Sequence, residues 1–386
     1  MHFFNNDPIF MSRALQLAKR GRYTTRANPN VGCVLVKDAQ LIAEGWHYRA
    51  GEAHAEVHAL QQLSSGAVGA QGATAYVTLE PCAHQGKTGS CASALIDAGV
   101  ARVVYALEDP NPLVSGKGLA LLRAAGIIVV GPLLEMQAIE LNQGFISRMQ
   151  RQRPWLRCKI ATSLDGRSAM ASGESQWITG AAARQDVQLL RAQSCAIITG
   201  IGSIEHDNSR LSVRADECLI DNVDDVLALP PLRVVLDSQL RIDKDARIFT
   251  AVGRVIIFTG SNAGLEKEAQ LRSQWPDNVI VERVALSAGK VGLAQVLTCL
   301  AERYECNDVL VEAGATLSGA FMQADLIDEL IIYQAPILLG SDARGLMDLP
   351  LQSMQEKIQL NIIDQRSIGD DLRITAKVCA HKIKPQ

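Results

Sequence analysis

The chain has 386 residues, 48% hydrophobic and 20% charged, with a formal net charge of −3. At roughly 100–200 residues per domain this is a two-domain length, and the composition excludes disordered, coiled-coil and collagen-like classes. The small negative charge gives no broad basic field for nucleic acid, and no run approaches the ~18 apolar residues of a membrane span or the layout of a signal peptide.

A soluble cytoplasmic protein is therefore expected, with no nucleic-acid and no membrane partner. Its nine scattered cysteines read as reduced thiols, any special pair serving as metal ligands. Asp7-Pro8 has the form of a helix N-cap followed by proline at the first helical position, and Phe10, Ala14, Leu17 and Ala18 recur at helical spacing. Residues 31–36 and 41–46 read as the strands of a hairpin around Asp38-Ala39. Alternation follows: helix 54–63, strand 73–79, helix 90–98, strand 100–107, helix 118–125, strand 127–130 and one long helix over 133–148. This order implies a mostly parallel sheet with helices on both faces.

The polar, basic run at 148–154 marks a boundary, dividing the chain into domains 1–150 and 151–386. The second domain is again α/β, with strands at 155–160, 196–199, 232–236, 254–258, 308–311 and 329–333 and helices around 181–192, 292–303 and 316–324. The acidic segment 216–229 reads as a surface loop, and the extreme C-terminus carries no readable signal.

The densest chemical signal is His54-Ala55-Glu56, followed by Pro81-Cys82 and Cys91. One imidazole and two thiolates suit zinc, and three protein ligands leave the fourth tetrahedral position for water. Glu56 is the candidate to accept that water's proton and pass it to substrate. Residues two apart lie about 200° apart around a regular helix, so His54 and Glu56 converge only at an irregular first turn. A zincin pair of His54 and His58 is disfavoured, since that motif needs Glu directly after the first His. The zinc pattern is similar to the signature of the cytidine deaminase superfamily, but with eight residues between the cysteines, where nucleic-acid-editing members commonly have two.

The longer spacing, with Asn28-Pro29-Asn30-Val31-Gly32, Gly51-Glu52-Ala53-His54 and Asp109-Pro110-Asn111-Pro112, resembles the deaminase half of the bifunctional riboflavin-biosynthesis deaminase/reductases. The resemblance implies a cytidine-deaminase-like three-layer α/β/α domain in which His54, Cys82 and Cys91 hold zinc, Glu56 shuttles protons, and Asn28, His47 and Lys87 contact the pyrimidine or its phosphoribosyl tail.

In the second domain no G-x-G-x-x-G follows the first strand, so a Rossmann site is unsupported. The run from Val311 to Ala320 is a strand entering a small-residue turn that opens a helix; it suits either a phosphate or tight packing. Ser163-Leu164-Asp165-Gly166-Arg167, the run from Ser172 to Thr179 and Leu189-Leu190-Arg191-Ala192 resemble the reductase half of the same family. That resemblance implies a dihydrofolate-reductase-like α/β domain using NADPH. Ala161, Trp177, Ser203, Asp207, Ser238 and the turn Gly314, Ala315, Thr316, Leu317, Ser318, Gly319 and Ala320 would line the cofactor site. Ser175, Arg191, Leu211, Arg214 and Glu312 would hold substrate, with Lys159 pointing into the active site and Asp165 shaping the turn beside it. A forked guanidinium suits a sugar phosphate independently; a solvent-directed strand lysine remains the alternative for Lys159.

Two positions depart from the family: Ala315 replaces a usual proline, and Asp207-Asn208-Ser209 replaces Asp-Asp-Pro. The implied function is zinc-dependent deamination of 2,5-diamino-6-(5-phosphoribosylamino)pyrimidin-4(3H)-one followed by NADPH-dependent reduction of the ribosyl group. A deaminase with a silent second domain, a nucleic-acid-editing deaminase and a zinc-stabilised regulator are the competing readings. A homo-oligomer, dimer or tetramer, is expected.

Overall fold

The structure is a computed structural model that describes residues 3–63, 69–83 and 89–379. It divides into two compact units, Met1–Arg153 and Pro154–Gln386.

The first unit contains α1 (Asp7–Ala18), β1 (Gly32–Lys37), β2 (Gln40–Trp46), α2 (Ala55–Gln61), β3 (Thr74–Val77), α3 (Cys91–Asp97), β4 (Arg102–Tyr105), α4 (Lys117–Ala124), β5 (Ile128–Val130), α5 (Glu135–Leu141) and α6 (Gln143–Arg151). Its sheet has the order β2-β1-β3-β4-β5, with β1 antiparallel to both neighbours and β3, β4 and β5 parallel. Asp38 and Ala39 turn the hairpin at φ 50° and 60°, the sign a two-residue turn needs to match the strands' twist. Strand alternation sorts the core into two layers. Cys33 and Leu35 pack with Ala55, Leu95 and Leu122 of α2, α3 and α4, whereas Val34 and Val36 pack with Met11, Leu17 and Phe145 of α1 and α6. The result is three layers, α/β/α.

Two expectations change here. The N-cap of α1 is Asn6, not Asp7. Asp7 is fully buried, and its carboxylate accepts hydrogen bonds from Tyr76 Oη at 2.7 Å and from Arg102 Nη1 and Nη2 at 2.9 and 2.7 Å; it anchors the helix to the sheet. The single long helix over 133–148 is two helices, broken at Asn142, whose buried side chain bonds the backbone of Asn30.

The second unit contains β6 (Trp155–Ser163), β7 (Arg167–Ala169), α7 (Ala181–Gln193), β8 (Ala196–Gly200), α8 (Ile201–Asp207), α9 (Val223–Ala228), β9 (Leu232–Leu236), β10 (Val255–Gly260), α10 (Leu265–Gln274), β11 (Val279–Val284), β12 (Leu286–Ser287), β13 (Lys290–Val291), α11 (Leu293–Glu302), β14 (Asp308–Glu312), α12 (Ala315–Gln323), β15 (Glu329–Ala335), β16 (Arg344–Gly345), β17 (Leu360–Ile368) and β18 (Asp371–Val378). Nine strands form one sheet in the order β11-β10-β9-β8-β14-β6-β15-β18-β17, with every pairing parallel except β15–β18 and β18–β17, so that β18 alone is reversed. One face carries Val296, Leu300 and Phe321 of α11 and α12; the other carries Val187 and Leu190 of α7 and Leu271 of α10.

Of the nine strands of this sheet the sequence left β11, β17 and β18 unread, and it also missed the short strands β7, β12, β13 and β16 outside it. The segment 216–229 is not entirely loop: α9 forms within it, with Val226 buried and Asp224 and Asp225 in its first turn, where the helix dipole favours acids. No described helix is long and apolar enough to cross a membrane.

Candidate active sites

The first site lies at the carboxyl end of β3, where ligands gather in open α/β sheets. His54 is the N-cap of α2, at φ −70° and ψ 165°, and this extended residue allows it and Glu56 of the first turn to share a site. Cys91 opens α3, whose N-cap Ser90 accepts the Ser93 N–H. Cys82 reaches the same point from the loop after β3. His54 Nδ1 lies 3.2 Å from Cys91 Sγ and 3.7 Å from Cys82 Sγ, and the three donor atoms lie within 4.8 Å of one another. One imidazole and two sulfurs at this spacing fit zinc in their chemistry, and a divalent ion held by them would take the place of the proton the sulfurs otherwise share. Cys82 is held down at about 4 by the hydrogen bond from Cys91, which is itself pushed up. Glu56 is 3% exposed, and burial followed by the charge of Cys82 pushes its carboxyl up to about 7.

Beside the metal cluster, the His47 and His54 rings meet edge to face at 5.2 Å. His47 is buried, its Nδ1 3.2 Å from the Ala53 carbonyl and its Nε2 2.9 Å from Asn28 Nδ2. Donation from Nδ1 leaves Nε2 as the acceptor for Asn28, and burial favours this neutral ring by lowering its pKa. Asn28, His47 and His54 are thus brought together; Lys87 lies outside the described residues.

The sequence reading missed Glu80. Only 4% exposed, its carboxylate accepts the N–H groups of Gly118 and Gly116 at 2.9 Å, of Asp109 at 3.2 Å and of Leu119 at 3.4 Å. These bonds fasten the loop after β4, and the start of α4, to the residue preceding Pro81-Cys82. Position 118 must be glycine, since a Cβ there would stand 1.8 Å from the Pro81 carbonyl oxygen. An acid three residues after the apolar end of β3, directly before Pro81-Cys82, was the available signal.

The second site is a cleft of about 1910 Å³ in the C-terminal unit. Lys159, Ala161, Ser175, Trp177, Arg191, Ser203, Asp207, Leu211, Arg214, Ser238, Glu312, Gly314, Ala315, Thr316, Leu317 and Ala320 all line it. Ser318 and Gly319 do not. Ser318 is buried with its hydroxyl on the Ala313 carbonyl, and a Cβ on Gly319 would stand 2.4 Å from Asp348 O. The Ser318 N–H already donates to Gly314 O, so only the first three N–H groups of α12 are left for a ligand.

At the centre, Arg191 Nε and Nη2 donate to Glu312 at 2.6 and 2.9 Å and Nη1 donates to Ser212 O at 3.0 Å, while Lys159 Nζ lies 3.7 Å from Glu312. The fork expected on a sugar phosphate is engaged by Glu312. Burial alone would raise the Glu312 carboxyl; the Arg191 and Lys159 cations overcome it and hold it at about 2. Arg214 is half exposed on Glu217. Asp165 shapes its turn by accepting from Ser163 Oγ and from Gly340 N–H at 2.9 Å. Asn208 caps α8 in the left-handed conformation at φ 44° and accepts the Arg247 N–H at 2.8 Å; asparagine suits that geometry, and Asp207 remains on the cleft wall.

Residues 5–107 match the family model of the cytidine and deoxycytidylate deaminase zinc-binding region, and residues 154–374 that of the RibD C-terminal domain. The riboflavin biosynthesis protein RibD of Escherichia coli is 46% identical over 98% of this chain and 99% of its own length, and that of Haemophilus influenzae 45% over 97% and 98%. Among solved structures, Acinetobacter baumannii RibD superposes with TM-score 0.89 at 45% identity, covering 97% of this chain and 99% of its own. The Thermotoga maritima diaminohydroxyphosphoribosylaminopyrimidine deaminase/5-amino-6-(5-phosphoribosylamino)uracil reductase does so with TM-score 0.82 at 31% identity, with the same coverage. The chain belongs to the RibD family of bifunctional riboflavin-biosynthesis deaminase/reductases.

Proposed function

We propose that the two activities divide between the units, residues 1–150 deaminating the diaminopyrimidine and residues 151–386 reducing the resulting 5-amino-6-(5-phosphoribosylamino)uracil. The observation that carries this reading is the cluster His54, Cys82 and Cys91 beside a buried Glu56. Zinc held by these three supplies Lewis-acid activation of water near neutral pH. Glu56, at about 7, takes a proton at its carboxylate and returns it to the departing amine, the assignment expected of a general base near the working pH. Asn28 offers its amide to the ring and His47, neutral and fixed by the Ala53 carbonyl, orients it. Lys87 is proposed on resemblance alone.

In the reductase cleft NADPH is the two-electron reductant. The exposed N-terminus of α12 offers the Ala315, Thr316 and Leu317 N–H groups to its phosphates. Ala161, Trp177, Ser203, Asp207, Ser238 and Ala320 line the rest of the cofactor's path. Glu312, kept ionised by Arg191, sets the place of the Lys159 side chain at the reacting end. Arg214, with Ser175 and Leu211, lines the same cleft and is assigned to the phosphorylated substrate. Catalysis here is positioning and electrostatics, with no protein nucleophile.

We also infer a cytoplasmic homo-oligomer. Its nine cysteines are all free, and Ile362 and Ile363 stand 57% and 43% exposed on the edge strand β17. The test follows ammonia and NADPH absorbance together with the diamino substrate, for wild type and Glu56→Ala. Ammonia first and NADPH loss second, both abolished in the variant, supports the reading; ammonia without NADPH loss leaves a deaminase with a silent second unit.

A further inference from the structure

Asn142 is 3% exposed and stands between α5 and α6 at φ −121° and ψ 25°, outside helical geometry. As the N-cap of α6 it is a residue type that normally accepts an N–H from its own helix, yet it makes no such bond. Its amide turns outward and works in both directions on one distant residue. The Asn30 N–H donates to Asn142 Oδ1 at 2.7 Å, and Asn142 Nδ2 donates to the Asn30 carbonyl at 3.0 Å, across 112 residues of sequence. The Asn30 amide is fixed in turn, accepting from Thr25 Oγ1 at 3.2 Å and donating to Leu141 O at 3.4 Å. One helix further on, Arg148 Nη2 donates to Ala27 O at 2.7 Å. The backbone is therefore gripped at residues 27 and 30, on both sides of Asn28, whose Nδ2 rests 2.9 Å from His47 Nε2.

We propose that Asn142, seconded by Arg148, is a positioning residue of the deaminase: it interrupts a helix to fix the 27–30 loop, so that Asn28 and His47 meet the pyrimidine as a pre-formed polar edge. This rests on the reading of Asn28 and His47 as substrate contacts. A side chain serving the helix alone would cap it; this one gives up the cap and, among the described residues, spends both ends of its amide on the Asn30 backbone. Pre-formed contacts lower the ordering cost of binding, so the effect belongs in KM and not in the metal site.

The test uses the full chain, with zinc content and NADPH oxidation on the deaminated substrate as internal controls. Asn142→Ala, Asn28→Ala and the double variant are compared for ammonia release. The expected result is a deaminase KM raised about tenfold in each single variant, equivalent to about 1.4 kcal/mol of binding. The accompanying kcat change is within about twofold, zinc content and NADPH oxidation are unaltered, and the double variant is no worse than either single, as coupled residues require. An unchanged KM in Asn142→Ala alongside a raised one in Asn28→Ala overturns this inference alone, as do strictly additive effects or zinc lost in step with activity. An unchanged KM in Asn28→Ala overturns the underlying reading as well. Should Asn142→Ala fail to fold, Arg148→Ala decides: a smaller rise in the same KM, restored by Arg148→Lys, supports the inference, and no rise overturns it.

Discussion

Glu56 in the N-terminal unit and Glu312 in the C-terminal unit are both enclosed carboxylates, yet the first rests at about 7 and the second at about 2. Burial pushes both upward. Around Glu56 the close charges are the Cys82 sulfur and a half-buried His54, and burial prevails; around Glu312 a bidentate guanidinium and an ammonium reverse its sign. On the proposed roles, the acid that exchanges a proton is buried beside a negative sulfur, and the one that stays charged is buried beside cations.

The largest expected effect removes the proton carrier. Glu56→Gln should cut ammonia release by about 10²–10⁴-fold while zinc content and NADPH oxidation on the deaminated substrate stay at wild-type values; comparable loss of both activities would erase the distinction between the two acids. Zinc removal by a chelator should silence the same half alone, with ammonia release recovering on zinc addition and NADPH oxidation unaffected throughout.

Arg191→Met strips Glu312 of its main partner. Breaking a buried ion pair costs about 3–5 kcal/mol, read as a lower unfolding midpoint together with slower NADPH oxidation. The pH dependence sharpens the point. Because the Glu312 value lies below the ordinary 4.5, its contribution to stability is fully present above that ordinary value and is lost as pH falls toward about 2. In Arg191→Met the acid-loss window should move upward, measured by thermal unfolding across pH; an unmoved window would show that Lys159 alone keeps the charge.

The smallest effect is at the α12 turn. Ala315 occupies the first helical position, where proline is tolerated, so Ala315→Pro should stabilise by about 0.4–1 kcal/mol and, because it removes one of the three N–H groups offered to the phosphates, raise the KM for NADPH by about three- to tenfold.

How far the sequence reveals all this depends on whether partners are neighbours. His54, Glu56, Cys82 and Cys91 are legible because each sits in a short pattern with its own chemistry, and the three-layer fold around them follows from the period of the apolar residues. Glu80 and Asn142 are not, because their partners are backbone N–H and C=O groups 29 to 39 and 112 residues away, which no side-chain pattern announces. In the C-terminal unit the resemblance supplied the residues, and its error is instructive: a contiguous run such as Gly314 to Ala320 becomes a helix, and successive residues of a helix face different ways, so Ser318 and Gly319 turn into the core. Strand β17 escaped notice because every one of its side chains is at least partly exposed, leaving no buried face to mark a period; β18 was legible, since Leu372, Ile374, Ala376 and Val378 alternate with polar residues, and was overlooked.

The position of β6 has a consequence for synthesis. It is the first strand of its unit to be made and one of the inner strands of the sheet, flanked by β14 and β15; Arg157 meets Asp308 only 151 residues later. On the ribosome the N-terminal sheet can close once β5 has emerged, whereas β6 waits with both edges unpaired until nearly the whole chain is made. Because local pairings form early and distant ones late, the N-terminal sheet is complete long before β6 finds either neighbour, and a stop codon before β15 leaves β6 with an edge that nothing in the chain can cover.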